Sequence, residues 1–161
     1  MLRRSLLFAA IALLMSCGGG GEAEEELSLT PQAQARVAFG EIPAGTYVIR
    51  QNEDAVALAT SPGFRRAIPP DLSKLPAIDY SKFILVATSY GLRGQCDDAE
   101  FVSAKRRGQT VVVEHRKVEA AAHPLLCGFM LSAWTTFATI PLVNASVEFT
   151  ELPSRVLPPP G

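Results

Sequence analysis

Phe83-Ile84-Leu85-Val86-Ala87 is an unbroken apolar run, and its reading decides the fold. A run this short suits a strand covered on both faces rather than a helix with one apolar stripe. Working outward, Phe83–Ser89, Ala99–Lys105 and Thr110–Lys117 read as three consecutive strands between Ser81 and Glu119. The last two are joined by Arg106-Arg107-Gly108, which predicts a three-residue loop closed by a left-handed glycine. That turn pairs Lys105 with Gln109 and sets Phe101 opposite Val113, Asp98 facing Arg116, and Glu100 against Glu114. The last pairing is unfavourable unless both carboxylates are solvated. A two-residue turn is disfavoured because Arg107 would need positive φ.

Before this stretch, Val37–Ile42 and Thr46–Arg50 read as strands around Pro43-Ala44-Gly45. Asn52 is placed as an N-cap, with Glu53 and Asp54 in the first turn and Ser61-Pro62-Gly63 as the stop. A proline-bearing loop, Phe64–Ala77, follows. After the hairpin, Phe129–Ile140 is expected as a strand bent near Trp134–Phe137. Asn144–Thr150 is the last strand, with Ala145, Val147 and Phe149 inward. The predicted class is α+β: a mostly antiparallel sheet of five to seven strands, sandwich-like or a partly closed barrel, with one short helix. The expected core is Phe83, Leu85, Phe101, Val111, Val113, Leu131, Phe137, Val147 and Phe149.

The 161 residues carry 15 Lys+Arg against 16 Asp+Glu, which leaves no basic excess for nucleic-acid binding. Residues 1–16 read as a signal peptide: Arg3-Arg4, then the apolar core Leu6–Leu14, too short to span a bilayer. Leu14-Met15-Ser16-Cys17 resembles the bacterial lipobox, which implies lipidation of Cys17 and a membrane anchor. Gly18 after that cysteine, by resemblance to proteobacterial sorting rules, implies the outer membrane, facing the periplasm or the cell surface. Residues 17–36, with Gly18–Gly21 and the acidic Glu22–Glu26, are expected to form a flexible tether. One globular domain, 37–152, and a disordered proline-rich tail, 153–161, complete the chain.

With Cys17 lipidated, Cys96 and Cys127 form an even pair in an oxidising compartment, and a disulfide between them is expected. His115 and His123 are the only histidines, and with Ser132, Asp97 or Asp98 they give a hydrolase triad on paper only. No nucleophile elbow, phosphate loop, cofactor motif or metal spacing accompanies them. Asp97-Asp98-Ala99-Glu100 lacks the alternating ligands of a calcium loop. Lys105-Arg106-Arg107 at a hairpin tip offers charge to anionic lipid or an acidic partner. Trp134 is read as core.

Val48-Ile49-Arg50 before the helix, Ile78-Asp79-Tyr80-Ser81 before the apolar strand, Gly91-Leu92-Arg93 after it, the hairpin and Ile140-Pro141 together resemble the PrcB-like C-terminal domain. That small bacterial domain is named for an accessory subunit of a surface protease complex. The resemblance runs from about Val37 to Phe149. It departs at Gly94-Gln95-Cys96-Asp97-Asp98, where the family usually carries a Thr-Gly-Gly-Tyr-like segment. It implies a non-catalytic interaction module with a protein partner, a protease among the candidates; no cofactor is expected. A carrier of a small apolar ligand in a barrel is the second expectation. The expected binding surface is Phe64–Ala77 with the turn Gly91–Gln95, and Arg93 is the candidate contact, its planar fork suited to a carboxylate.

Overall fold

The computed structural model describes residues 23–35, 39, 42–61, 72–94, 98–120 and 131–158. Among these, nine strands form two sheets that do not close into a barrel. The first sheet runs β1 (Glu24–Glu26), β5 (Asp98–Arg107), β6 (Thr110–Ala120), β8 (Ser146–Glu151), with β9 (Arg155–Leu157) also on β6. The second runs β2 (Thr30–Pro31), β7 (Leu131–Pro141), β4 (Phe83–Gly94), β3 (Gly45–Ile49). Every pairing is antiparallel except those of β8 and β9 with β6. The α+β class holds. The strands beyond the expected five to seven are the short edge pieces β1, β2 and β9.

β4 lies at the centre, and Ile84, Leu85, Val86 and Ala87 are all fully buried. Ile84 and Val86 pack between the sheets with Val111, Val113, Ala138 and Ile140. Leu85 and Ala87 pack on the opposite face with Phe39, Phe137 and the helix α1 (Asn52–Thr60) through Ala55 and Ala59. The apolar run is continuous because it serves two cores at once. α1 begins one residue earlier than a cap at Asn52 requires. Gln51 is the N-cap, and Asp54 accepts from the Arg50 amide and the Gln51 side chain.

Several expectations are corrected. The β5–β6 turn is Gly108-Gln109, since Arg107 pairs with Thr110. Gly108, at φ 57°, takes the first central position, where two-residue hairpins demand positive φ. A bulge between Phe101 and Ser103 then shifts the ladder, so Glu100 pairs with Arg116 and Ser103 with Glu114. The expected carboxylate clash is thereby replaced by an ion pair at 2.7 Å and a hydrogen bond at 2.6 Å. Asp98 lies opposite Val118, not Arg116. Phe83 is 40% exposed at the strand's start, outside the core. Within the expected strand 37–42, Phe39 is helical and Ile42 irregular; the rest lies outside the described residues. The expected bend in β7 belongs to β4 instead, as a bulge between Ser89 and Leu92 with Gly91 at φ 71°.

The acidic run is not wholly tether. Glu24, Glu25 and Glu26 pair with Arg107, Arg106 and Lys105, strand against strand and charge against charge. Glu24 bonds Arg107 at 2.7 Å and Lys105 at 3.1 Å, and Glu25 reaches Arg106 at 3.8 Å. The proline-rich tail is likewise tied down in part: β9 pairs with β6, and Arg155 bonds Glu100 at 2.6 Å.

Candidate functional site

Three neighbouring strands change character at the same level. The inward positions of β4 run Ile84, Val86, Thr88, Tyr90; those of β6 run Val111, Val113, His115, Lys117; those of β8 run Val147, Phe149, Glu151. The register brings the three polar ends together, since His115 pairs with Glu151. Thr88 and Tyr90 lie across the sandwich from His115. The result is an open cleft of about 530 Å³ at the margin between β3 and β8, lined in part by Gly45, Thr46, Tyr90, His115, Phe149 and Glu151.

His115 is buried, at 4% exposure. Its Nδ1 lies 2.6 Å from the Tyr90 hydroxyl and 3.3 Å from Thr88 Oγ1. The edges of Phe101 and Phe149 confine the ring at centroid separations of 6.5 and 6.1 Å. Burial holds the imidazole below its ordinary pKa, against the opposing charge of Glu151. Burial, and after it the Glu151 carboxylate, push the Tyr90 phenol up to about 12. Both groups are therefore neutral near pH 7. The phenol has one proton, and His115 Nδ1 lies within its reach. Donated to Nδ1, it places the imidazole proton on Nε2. Lys117 Nζ stands 5.1 Å from the centre of the Tyr90 ring.

The described hydroxyls around the imidazole do not form a triad. A triad needs an acid on one imidazole nitrogen and a nucleophile on the other. Here both neighbouring hydroxyls sit on Nδ1, and the Ser89 hydroxyl donates instead to the Ile42 carbonyl. A phenol held up to about 12 keeps its proton at neutral pH and serves as a fixed donor. No group of three or more metal-ligating side chains occurs among the described residues.

Of the residues singled out in the sequence, Arg93 lies in β4 opposite Ser132 rather than in a flexible turn; its side chain is outside what the structure describes. Cys17, Cys96, Cys127, His123, Asp97 and the loop stretch 62–71 lie outside the described residues, as does the side chain of Trp134. Gly94 and Leu131 are ladder partners, so the two chain segments leading to Cys96 and Cys127 start side by side. His115 enters the site, although strand placement alone made it look unpromising. The comparisons with protein-family models, curated proteins and solved structures return no match.

Proposed function

We propose that this chain is an exported lipoprotein, anchored through lipidated Cys17 in the outer membrane, whose β-sandwich binds a protein partner and has no turnover of its own. The partner docks at the β3–β8 cleft, and the family resemblance makes a protease one candidate. The observation that carries this reading is the cleft itself. It lies between two strands that each end their sheet, and a neutral Tyr90–His115 pair is fixed in its floor. Sheet edges accept an extended segment through main-chain bonds, while a fixed polar floor selects what enters. The carrier reading has less support, because the space between the sheets is filled by fully buried side chains. The disulfide between Cys96 and Cys127 belongs to the same reading, as the tie behind the β4–β7 end of the sandwich.

Two measurements on native membranes test this. Cys17→Ser should move the protein to the soluble exported fraction; retention on the membrane would overturn the anchor. A photo-crosslinking residue at Thr46 should capture one defined protein, and the same residue at Glu119, on the far part of β6, should not. Equal capture at both places would overturn the docking site. Turnover of any substrate, abolished by His115→Ala, would overturn the binding reading.

A further inference from the structure

We propose that the end of the sandwich carrying Phe83 and Leu142 rests on the bilayer that holds the anchor, so that the cleft is presented away from the membrane. The inference rests on the lipoprotein reading and adds an orientation and a lipid-contacting surface to it.

The path of β1 sets the orientation. Glu24, its first residue, pairs with Arg107 at the tip of the β5–β6 hairpin, and β1 runs away from that tip. The chain therefore reaches the domain from the tip end. About seven residues separate Cys17 from Glu24, a contour of about 25 Å at most. A glycine-rich segment of that length has an r.m.s. span of about 15 Å. An eleven-residue strand such as β6 is about 36 Å long. The anchor is thus too short to let the domain turn over freely.

The same end carries two of the exposed large apolar side chains, Phe83 at 40% and Leu142 at 44%. Connectivity places them together with the tip. Phe83 pairs with Pro141, the Leu142 amide donates to the Lys82 carbonyl, and the short connection from Pro141 leads to Ser146, whose amide donates to Gln109 in the hairpin turn. The occupant is a lipid surface rather than an acidic protein, because four nearby cations are already paired with this chain's own acids and the Arg50 guanidinium donates to the Ala145 carbonyl. Lys105 and Arg107 bond Glu24, Arg106 bonds Glu25, and Lys82 bonds Asp79. What remains to be covered is apolar, close to a bilayer, and rimmed by polar groups.

Hydrogen exchange of the full lipidated chain on vesicles of phosphatidylethanolamine and phosphatidylglycerol tests this against the soluble Cys17→Ser form. Amides around residues 81–85, 107–110 and 141–146 should exchange about fivefold more slowly on vesicles, and those around 115–118 and 149–152 should not change. The lipidated Phe83→Ser/Leu142→Ser variant should stay on vesicles and lose the slowing. A vesicle-bound wild type without slowing at the tip end overturns the orientation and leaves the anchor standing. A chain that fails to join vesicles overturns both. Slowing of the tip end in the soluble form at raised concentration would assign the surface to a second copy and overturn the lipid contact.

Discussion

The two flanks of this sandwich are treated in opposite ways. On the β5 side the edge is covered by β1, a strand whose three glutamates meet three basic residues in register. On the other side β3 and β8 end their sheets with no strand across the gap among the described residues, apart from one crossing bond, Arg50 Nη2 to the Ala145 carbonyl at 2.9 Å. Bare sheet edges invite pairing with other chains, and covering them is the usual remedy. The proposed docking rests on this asymmetry: one flank is covered by the chain itself, and the other is left open, among the described residues, over the Tyr90–His115 pair. The covered flank also shows how a basic hairpin tip can be a poor guide to partners: Lys105, Arg106 and Arg107 are met by this chain's own acids.

The largest test asks whether the open flank is rigid. The β4–β7 ladder that supports it ends at Gly94 and Leu131, just before the segments carrying the expected disulfide. A bridge between Cys96 and Cys127 stabilises by about 3–4 kcal/mol in the chain-entropy picture. Cys96→Ser is expected to lower the urea unfolding free energy by about that amount, and non-reducing mass spectrometry of the exported protein should find no free thiol at either position. Two free thiols would mean that the open flank stands without a tie.

How much of this was legible beforehand follows from what each feature depends on. The double-sided core around β4 was readable because a continuous apolar run has one economical explanation. The cleft was not. Its signal, three strands whose inward positions turn from apolar to polar, is present as Val86-x-Thr88-x-Tyr90, Val113-x-His115-x-Lys117 and Val147-x-Phe149-x-Glu151. It becomes a site only when the parallel β6–β8 pairing sets His115 beside Glu151 and the sandwich brings Tyr90 across to it, and neither is given by strand order in the sequence. Assigning Arg106-Arg107-Gly108 to the turn, instead of Gly108-Gln109, is a separate miss that put Glu114 against Glu100. The acidic run and the proline tail were misjudged for a related reason: composition marks them as tethers, whereas their pairing depends on edges that only the folded sheet provides.

The next effect concerns the pair in the cleft floor. Tyr90→Phe leaves His115 Nδ1 with Thr88 at 3.3 Å as its remaining neighbour. Leaving a buried ring nitrogen short of a partner costs about 1–3 kcal/mol. The pH dependence should single out the same residue. Burial lowers the His115 pKa, so the unfolded chain takes up a proton before the folded one does. Its contribution to stability is complete above the ordinary value of 6.5 and is lost as pH falls through that value toward the folded one. His115→Gln should flatten the stability profile in that window. The lowered carboxylates, Glu24 and Glu100 among them, act only below 4.5, where the pairs of Glu24 with Lys105 and Arg107 and of Glu100 with Arg155 and Arg116 are lost. A profile between pH 7 and 5 unchanged by His115→Gln would mean that the imidazole is not held neutral by burial.

The smallest expected effect concerns the covered flank, and it separates charge from coverage. Exposed ion pairs contribute little to global stability, because solvent screens them and long side chains lose freedom in forming them. Glu24→Gln with Glu25→Gln keeps side-chain size and leaves the β1–β5 main-chain ladder available, but removes the ion pairs that β1 makes with Lys105, Arg106 and Arg107. The global unfolding midpoint should stay within error of the wild type. The local opening of β1 should instead become more frequent, read as faster exchange of the Leu27 amide, which donates to the Ala104 carbonyl at 2.8 Å. Raising salt should reproduce that change in the wild type and have little effect in the variant. If the midpoint fell along with the exchange protection, β1 would be an integral part of the sandwich. If neither changed, apolar contact of Leu27 with the core would hold the strand and the matched charges would only select its register. The expected result lies between these: a flank closed by a strand that can be lifted, opposite a flank across which no strand lies among the described residues.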